Sequence, residues 1–316
     1  MMQMENRWLF SKEKIRDSPN MKLLQDPNKE FIIRLGTTTF IQLIGQKLHL
    51  SQHSISAAAV YFHRFYMFFS LEDVDAKKLA MVAVFLACKS QNDFRKLEHV
   101  IKVAHVCMDL RFPAIDVQSE FYMNLKDELL FLENVLLSVL GFEVDVELPH
   151  PYIVKICQLI RGSQELTKIS YLLTTASIMV STLCLQYKPR TVACVCVNLG
   201  ARWSLVQIEP VSEERPWFYY VDPSLSTEGL NDLTDELGKA VLKGTLTMKS
   251  PVLNCVVSDT VVMTPFRTTK AGVTENSEND EKLSLVPAVT FRKRVRCDDS
   301  ADEIKVKIPR NYVILR

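Results

Sequence analysis

The sequence lacks a large net charge. Its 316 residues contain 38 Lys and Arg against 37 Asp and Glu, so the formal net charge is only +1. Proteins that bind nucleic acid through bulk electrostatics carry a strong positive excess. Residues 243–316 hold 13 basic against 9 acidic side chains, and the rest of the chain is therefore slightly acidic. We expect no direct binding to DNA.

Long apolar runs are also missing. The N-terminal residues have no apolar core of the kind found in signal peptides. No apolar run approaches the roughly 20 residues that a membrane-spanning helix needs. We therefore expect an intracellular protein that makes no membrane interaction.

Catalytic and metal-binding patterns are absent as well. None of the eight cysteines form the C-x2-C pairs typical of zinc sites, and neither His99 nor His105 stands at metal-ligand spacing to a cysteine. Most cysteines lie in apolar helical patterns, which favours buried free thiols in a reducing compartment. No nucleophile–base constellation can be assigned. We expect no metal, no cofactor and no enzymatic activity of the chain itself.

The sequence does contain a strong helical pattern, centred on residues 79–88. These ten residues are all apolar, include neither Gly nor Pro, and end abruptly at Lys89. A helix that is apolar on nearly every side belongs in the core rather than at the surface. We predict a central buried helix that begins at Asp75 and ends near Lys89, where the helix dipole favours a cation.

A second unusual feature is Glu133, which lies within the leucine series of a long predicted helix. The pattern places the start of this helix at Asp116 and its end at Gly141, with Phe142 packing back onto the last turn. A carboxylate beside an apolar stripe is costly to bury without a partner. One hypothesis pairs Glu133 with Lys89 between two helices; the alternative leaves both side chains in solvent.

The helical pattern is duplicated. Residues 79–80 and 86–89 align with residues 192–193 and 199–202 at a constant offset of about 113. Solenoid repeats have periods of roughly 20 to 50 residues, so this longer offset indicates a duplicated all-α domain. We predict an N-terminal segment (1–25), a first repeat (26–145), a second repeat (146–243) and a disordered tail (244–316). The basic cluster at 292–296 in this tail is either a nuclear-import signal or a solvated run.

Several stretches resemble a known family. Residues 61–67, residues 86–89 and Glu133 are similar to the matching segments of cyclins. Three stretches resemble the cyclin T family in particular: residues 7–10, residues 96–105 (KLEHVIKVAH), and residues 186–189 with 192–197. The resemblance runs from about residue 7 to 242. It implies two tandem five-helix cyclin boxes, with an N-terminal helix before them.

The resemblance also implies a function. Cyclin T proteins are nuclear regulatory subunits that bind and activate the cyclin-dependent kinase of P-TEFb, which promotes transcription elongation by RNA polymerase II. By this resemblance, Lys89 and Glu133 form the pair that addresses the kinase, and Phe142 contacts its αC-helix region. The chain would contact the polymerase machinery only indirectly.

The same resemblance implies structural residues within the cyclin box. Arg34 stands at the position of the cyclin-box arginine of the first helix, and His63 and Arg64 lie in the second-helix motif. The helical spacing of residues 63–67 favours core and helix-packing roles for this motif.

Two departures from the family pattern leave an alternative open. Ser90, Gln91 and Asn92 replace the usual Val-Glu-Glu after the interface lysine, and all six histidines lie at or before His150, so no His-rich tail follows. The chain could therefore be a cyclin-fold scaffold or competitor that has lost kinase activation. Paired cyclin boxes also occur in TFIIB-like promoter factors, but those carry a zinc ribbon and a basic body. Neither feature is present in the sequence.

Overall fold

The computed structural model describes residues 7–108, 115–209 and 215–247. In these ranges the chain is all-α, as predicted, with eleven α-helices and no strand. The helices are Lys12–Arg16 (α1), Pro19–Leu24 (α2), Pro27–Lys47 (α3), Gln52–Phe65 (α4), Ala76–Ser90 (α5), Leu97–Met108 (α6), Glu120–Val139 (α7), His150–Leu159 (α8), Gln164–Val180 (α9), Pro189–Trp203 (α10) and Thr227–Thr247 (α11). Short 3-10 helices span Leu183–Leu185 and Trp217–Tyr220.

Capping residues set several helix starts. The side chains of Asp26, Ser51 and Asp75 accept hydrogen bonds from first-turn N–H groups of α3, α4 and α5, and the start at Asp75 is the one predicted above. The predicted start of α7 at Asp116 is wrong. Asp116 instead accepts a bond from the N–H of Gln118 in the preceding turn, and Ser119 caps the helix.

The first repeat is built around α5. Every residue from 79 to 88 is buried except Phe85, which confirms the predicted core helix. α5 packs against α3, α4, α6 and α7. Burial of these side chains removes apolar surface from water, which is the main favourable term in folding. The surrounding helices thus hold the two ends of α5 in fixed positions.

The second repeat is built around α10 in the same way. α5 and α10 both contain 15 residues, and their first and last residues differ by 113 positions. This equality confirms the duplication. α10 packs against α8, α9 and α11, and its residues from Thr191 to Val197 are all buried. The 3-10 helix Trp217–Tyr220 lies between α10 and α11, at the chain position that α6 has in the first repeat.

The N-terminal segment joins the two repeats. The backbone N–H of Phe10 donates to the carbonyl of Leu185, 2.7 Å away. Trp8 is buried, and its Nε1 donates to Glu143 Oε2 just after α7 at 2.7 Å. Lys12 Nζ pairs with Glu236 on α11 at 2.6 Å. These contacts tie residues 8–12 to the first repeat and to the second.

The chain after the second repeat is described only to residue 247. α11 ends at Thr247, so residues 244–247, assigned to the tail from the sequence, are helical. The remainder of the predicted tail, including the basic cluster at 292–296, lies outside the described residues. Among the helices that the structure describes, none is both long and apolar enough to cross a membrane.

Candidate functional site

The structure brings Lys89 and Glu133 together. Lys89 lies in the last turn of α5, and its Nζ forms an ion pair with Glu133 Oε1 on α7. The same Nζ lies 4.5 Å from the ring centroid of Phe85, one helical turn earlier, in cation–π geometry. Both contacts restrict where the ammonium group can point. The alternative in which the two side chains face solvent separately is wrong.

The two members of this pair differ in exposure. The Glu133 side chain is 9% exposed, whereas that of Lys89 is 42% exposed. The carboxylate is therefore mostly buried, and the lysine is the member of the pair that a binding partner can reach. A buried carboxylate without its partner is strongly unfavourable. The pair can thus present positive charge and N–H donors to a binding partner in one orientation.

Phe142 lies in the turn directly after α7. Gly141 and Phe142 both adopt the left-handed conformation, with φ of 60° at each, and the N–H of Phe142 donates to the carbonyl of Leu137 at 3.0 Å. The Phe142 side chain is 71% exposed, so the predicted packing onto the last turn of α7 is wrong. Two successive left-handed residues turn the chain away from the helix. A bulky residue at positive φ persists only where its surroundings hold it.

The N-terminal segment supplies part of that support. Glu143, which follows Phe142, accepts a hydrogen bond from Trp8 and pairs with Arg7 Nη1 at 3.2 Å. A Cβ atom at Gly141 would lie 2.7 Å from the Arg7 guanidinium nitrogens. Residue 141 must therefore be glycine for Arg7 to keep this position, and the turn that presents Phe142 is braced from outside.

An apolar row on α7 extends this surface. Met123, Leu130 and Leu137 are spaced seven residues apart, which places them along one side of the helix. The side chains of Met123 and Leu130 are exposed, and Leu137 lies five residues before Phe142 in the sequence. Sequence reasoning missed Met123 and Leu130 because it considered only the leucine series around Glu133, to which neither residue belongs. Their seven-residue spacing was the available signal. A surface row of apolar side chains beside a fixed charge is typical of a protein interface.

Ser90, the first residue of the family departure, has a structural role. Its Oγ lies 2.9 Å from Tyr61 Oη on α4, and the Tyr61 hydroxyl also donates to the carbonyl of Val144. This network joins α4, α5 and the turn after α7. Asn92 takes the left-handed conformation with φ of 58°, which asparagine tolerates better than most residues.

Arg34 and His63 form a buried polar joint between the repeats. Arg34 donates to Glu30 Oε1 at 2.8 and 3.0 Å, and its Nη1 donates to His63 Nδ1 at 3.2 Å. His63 Nε2 lies 2.8 Å from the carbonyl oxygen of Ile178 in α9. A carbonyl only accepts, so Nε2 carries the proton. Burial, with the nearby Arg34 charge, lowers the pKa of His63 to about 3, and the ring is neutral.

Arg64, the next residue of α4, packs against Trp8. Its guanidinium carbon is 4.6 Å from the ring centroid of Trp8, and burial lowers the pKa of Arg64. The residue therefore contacts the N-terminal segment, in line with the structural role predicted for it.

The second repeat contains an ion pair related to that of Lys89. Arg202 is 113 residues after Lys89, in the last turn of α10, and its Nη1 pairs with Asp235 Oδ1 on α11 at 2.7 Å. Its Nη2 donates to Asn231 Oδ1 at 2.6 Å. Sequence reasoning aligned Lys89 with Arg202 but did not identify the acidic partner.

Cys88, which directly precedes Lys89 in α5, and Cys194 in α10 are buried free thiols. Burial raises the pKa of Cys194 to about 12 and that of Cys88 to about 11, so both thiols are protonated near neutral pH. Within residues 7–108, 115–209 and 215–247, no three His, Cys, Asp or Glu side chains are grouped so as to hold a metal ion.

Comparison with known proteins identifies related sequences. The family description "Cyclin, N-terminal domain" matches residues 6–145, and "Cyclin-T2-like, C-terminal domain" matches residues 148–240. Human Cyclin-T2 and human Cyclin-T1 are each 40% identical to this chain, over 231 and 230 residues. These matches cover 73% of this chain and 32% of each relative, so the chain spans about a third of the length of the human proteins.

A plant relative and two solved structures extend the comparison. The yeast RNA Pol II CTD kinase CTDK-1 complex contains a chain that matches with a TM-score of 0.63 at 13% identity, covering 77% of this chain and 76% of that one. The Chaetomium thermophilum CAK complex bound to ATP-gamma-S gives 0.58 at 15% identity, with 80% and 83% covered. These structures share the fold. Cyclin-T1-3 of Arabidopsis thaliana is 33% identical over 236 residues, which are 73% of each chain. Sequence and fold therefore agree, and the chain belongs to the cyclin T family.

Proposed function

We propose that this protein is the regulatory subunit of a cyclin-dependent kinase of the P-TEFb type, and that it promotes transcription elongation by RNA polymerase II in the nucleus. The observation that carries the proposal is the Lys89–Glu133 pair at the end of α5, together with the exposed side chain of Phe142 in the turn after α7. These are the positions at which the cyclin resemblance implies kinase contact. Tyr61 links these two segments, because its hydroxyl contacts both Ser90 and the carbonyl of Val144.

The mechanism requires no catalytic group from this chain. A protein kinase is active when the glutamate of its αC helix pairs with the catalytic lysine, and the position of αC controls that pairing. A partner that binds only the active arrangement shifts the equilibrium toward it by its difference in affinity for the two states. A rigid helical surface is suited to this task because it does not adapt to the inactive arrangement.

Each element of the surface would make a separate contribution. Phe142 offers a large apolar side chain that can insert into a pocket, as interface hot spots commonly do. Lys89 would donate hydrogen bonds to backbone carbonyls of the kinase, in a direction set by Glu133. The exposed Met123 and Leu130 would extend the apolar contact along α7.

Related structures support a kinase partner by analogy. The solved complexes that share this fold are described as a polymerase C-terminal-domain kinase and as a CAK complex. Each contains a chain that matches more than three quarters of this one.

A second candidate function rests on the Ser90–Asn92 segment. Two carboxylates of the family pattern are missing beside Lys89, and Ser90 is instead engaged with Tyr61. Charge complementarity across an interface governs association rate and partner choice. A chain altered here could bind the kinase without activating it and would then act as a scaffold or competitor.

The test mixes the full chain with the kinase subunit of P-TEFb and measures complex formation and phosphorylation of a polymerase C-terminal-domain peptide. Phe142→Ala should reduce capture at least tenfold. Leu205→Ala is the matched control, because Leu205 is also an exposed apolar residue at positive φ directly after a helix, but in the second repeat. It should leave capture unchanged.

Three outcomes separate the candidates. Capture with stimulated phosphorylation supports the activating cyclin. Capture without stimulation supports the scaffold or competitor. Absence of capture by the wild-type chain contradicts both and assigns the α5–α7 surface to a different partner.

A further inference from the structure

An exposed aromatic side chain lies in the loop that joins α5 to α6. Phe94 follows Lys89 by five residues and is 68% exposed. Its ring makes no aromatic or cation–π contact with the described residues. Single exposed apolar residues are common on protein surfaces, so exposure by itself assigns no role to this ring. The neighbours of Phe94, the second repeat and the family pattern together indicate one.

The residues on both sides of Phe94 are fixed to the turn between α3 and α4. Asp93 accepts hydrogen bonds from the backbone N–H and the Oγ of Ser51, at 2.9 and 2.6 Å. Arg95 Nε donates to the carbonyl of Leu48 at 3.0 Å, and Arg95 Nη1 donates to the carbonyl of Phe94 itself at 2.9 Å. The ring is therefore presented from a backbone that is already ordered. A partner that binds it loses little affinity to the ordering of this loop.

The corresponding loop of the second repeat shows that the backbone does not require an aromatic residue here. Asn92 and Leu205 each lie three residues after the basic member of an ion pair, and both are left-handed, with φ of 58° and 54°. At the offset of 113 residues, Gln207 corresponds to Phe94, and it is also exposed. The two loops therefore leave their central helices through the same left-handed step. The phenyl group of Phe94 is not explained by the conformation of the loop.

Phe94 is close enough to Lys89 for one partner to contact both. Five residues of extended chain span at most about 18 Å. A protein interface of standard size covers about 800 Å² of each partner, which is a patch about 30 Å across. A single interface of ordinary size can thus include both residues.

The segment before Phe94 has also lost charge relative to the family pattern. Gln91 and Asn92 stand where that pattern has two glutamates, and the carboxylate of Asp93 is bonded to Ser51. Exposed charges at an interface mainly raise the association rate, whereas a buried aromatic side chain contributes affinity. An aromatic residue at this position can therefore offset the missing carboxylates.

We propose that Phe94 is a specificity-determining contact of this chain with its kinase, and that it fills an apolar pocket on the kinase surface opposite the α5–α6 loop. The inference rests on the proposed kinase partner. The Lys89–Glu133 pair orients that partner, and Phe94 supplies the affinity that the family pattern obtains from two carboxylates. The contact is a property of this chain, since it depends on a residue that its own second repeat does not contain.

The test measures the dissociation constant between the full chain and the kinase subunit of P-TEFb at low and at high salt. Phe94→Gln introduces the side chain found at the corresponding position of the second repeat and should weaken binding about tenfold. The factor should be the same at both salt concentrations, because salt screens charges and not apolar contacts. The free energy of unfolding should equal that of the wild type, since Phe94 is exposed.

The exchange of the two loop residues is the matched control. Phe94→Gln/Gln207→Phe has the amino-acid composition of the wild type and should bind the kinase as weakly as Phe94→Gln. Gln207→Phe alone should bind as the wild type does. Recovery of binding in the double variant would show that any exposed phenyl group promotes capture, and it would overturn the proposal.

The remaining outcomes separate this inference from the proposed function. If the wild type binds the kinase and Phe142→Ala weakens binding, but Phe94→Gln binds as the wild type does, this inference alone is wrong. A loss in Phe94→Gln that disappears at high salt contradicts it as well. Absence of binding by the wild type contradicts both.

Discussion

The two repeats place an ion pair at corresponding positions but in different surroundings. Lys89 pairs with Glu133 between α5 and α7, and Arg202 pairs with Asp235 between α10 and α11. The basic members are 113 residues apart, and each lies in the last turn of the central helix of its repeat. The duplication has kept the connection between the central and final helices.

The difference lies in the carboxylates. The Glu133 side chain is 9% exposed, whereas that of Asp235 is 55% exposed. Water solvates Asp235 whether or not Arg202 is present, so the second pair is dispensable. Glu133 has little access to water and depends on Lys89. The first repeat thus combines a pair that Glu133 requires with an exposed aromatic residue, Phe142, and this comparison can be tested directly.

The largest effect is expected from removing the lysine of the first pair. Lys89→Met leaves the Glu133 carboxylate without a partner and should lower the free energy of unfolding by about 3 kcal/mol. Kinase capture should be lost as well, as it should with Glu133→Ala. Chemical denaturation and pull-down measure the two effects. The double variant Lys89→Met/Glu133→Leu should regain stability but not capture. Recovery of capture in it would contradict a direct role of the charges.

Lowering the pH tests the contribution of the buried histidine in each repeat, His63 and His150. The pKa values of His63 and His150 are lowered to about 3 and about 4, below the ordinary 6.5, so the unfolded chain gains protons first as pH falls. Stability contributed by each neutral ring is present above pH 6.5 and is lost progressively below it. Each histidine should lower the free energy of unfolding by about 2 kcal/mol as the pH falls from 7 to 5.

Denaturation at several pH values measures this loss. His63→Gln and His150→Gln should each flatten the pH dependence, while His99→Gln, an exposed control, should leave it unchanged. An unaltered slope in His63→Gln would show that the joint to Ile178 does not require a neutral ring.

A smaller effect is expected from restoring one carboxylate of the family pattern. Gln91→Glu places a negative charge two residues after Lys89 and should raise the rate of association with the kinase a few-fold at low salt. The gain should shrink as ionic strength rises, because salt screens exposed charges. Stopped-flow mixing measures it. Gln158→Glu, on the exposed side of α8, is the control, and an equal gain there would indicate a general charge effect.

The smallest effect is expected in the second repeat. Asp235→Ala removes an exposed ion pair and should lower the free energy of unfolding by less than about 1 kcal/mol. Kinase capture should not change. Denaturation and the same pull-down provide the comparison with Lys89→Met. A loss similar to that of Lys89→Met would show that exposure does not distinguish the two pairs.

Much of the fold could be predicted because its signals are local. The helix starts at Asp26, Ser51 and Asp75 follow from side chains that bond to N–H groups two or three residues later. The start of α7 was misplaced because Asp116 and Ser119 are both residues that commonly cap helices. Only the backbone geometry shows that Ser119 is the cap.

The sequence suggested the Lys89–Glu133 pair because of the free energy needed to bury a carboxylate, and not because any pattern recorded the contact itself. A carboxylate beside an apolar stripe needs a partner, and the most conspicuous cation ended the most apolar helix. The sequence by itself also determined the all-α class, the duplication and the family resemblance, because periodicity, offset and motifs are properties of residue order.

Only the tertiary structure decided how distant groups meet. Ser90 reaches Tyr61, His63 reaches the carbonyl of Ile178, and Arg64 packs against Trp8. The exposure of Phe142 likewise depends on two left-handed residues and on a brace from the N-terminal segment. The physical reason is that such contacts join residues separated by tens of positions, and their geometry is set by helix packing, which no local pattern records.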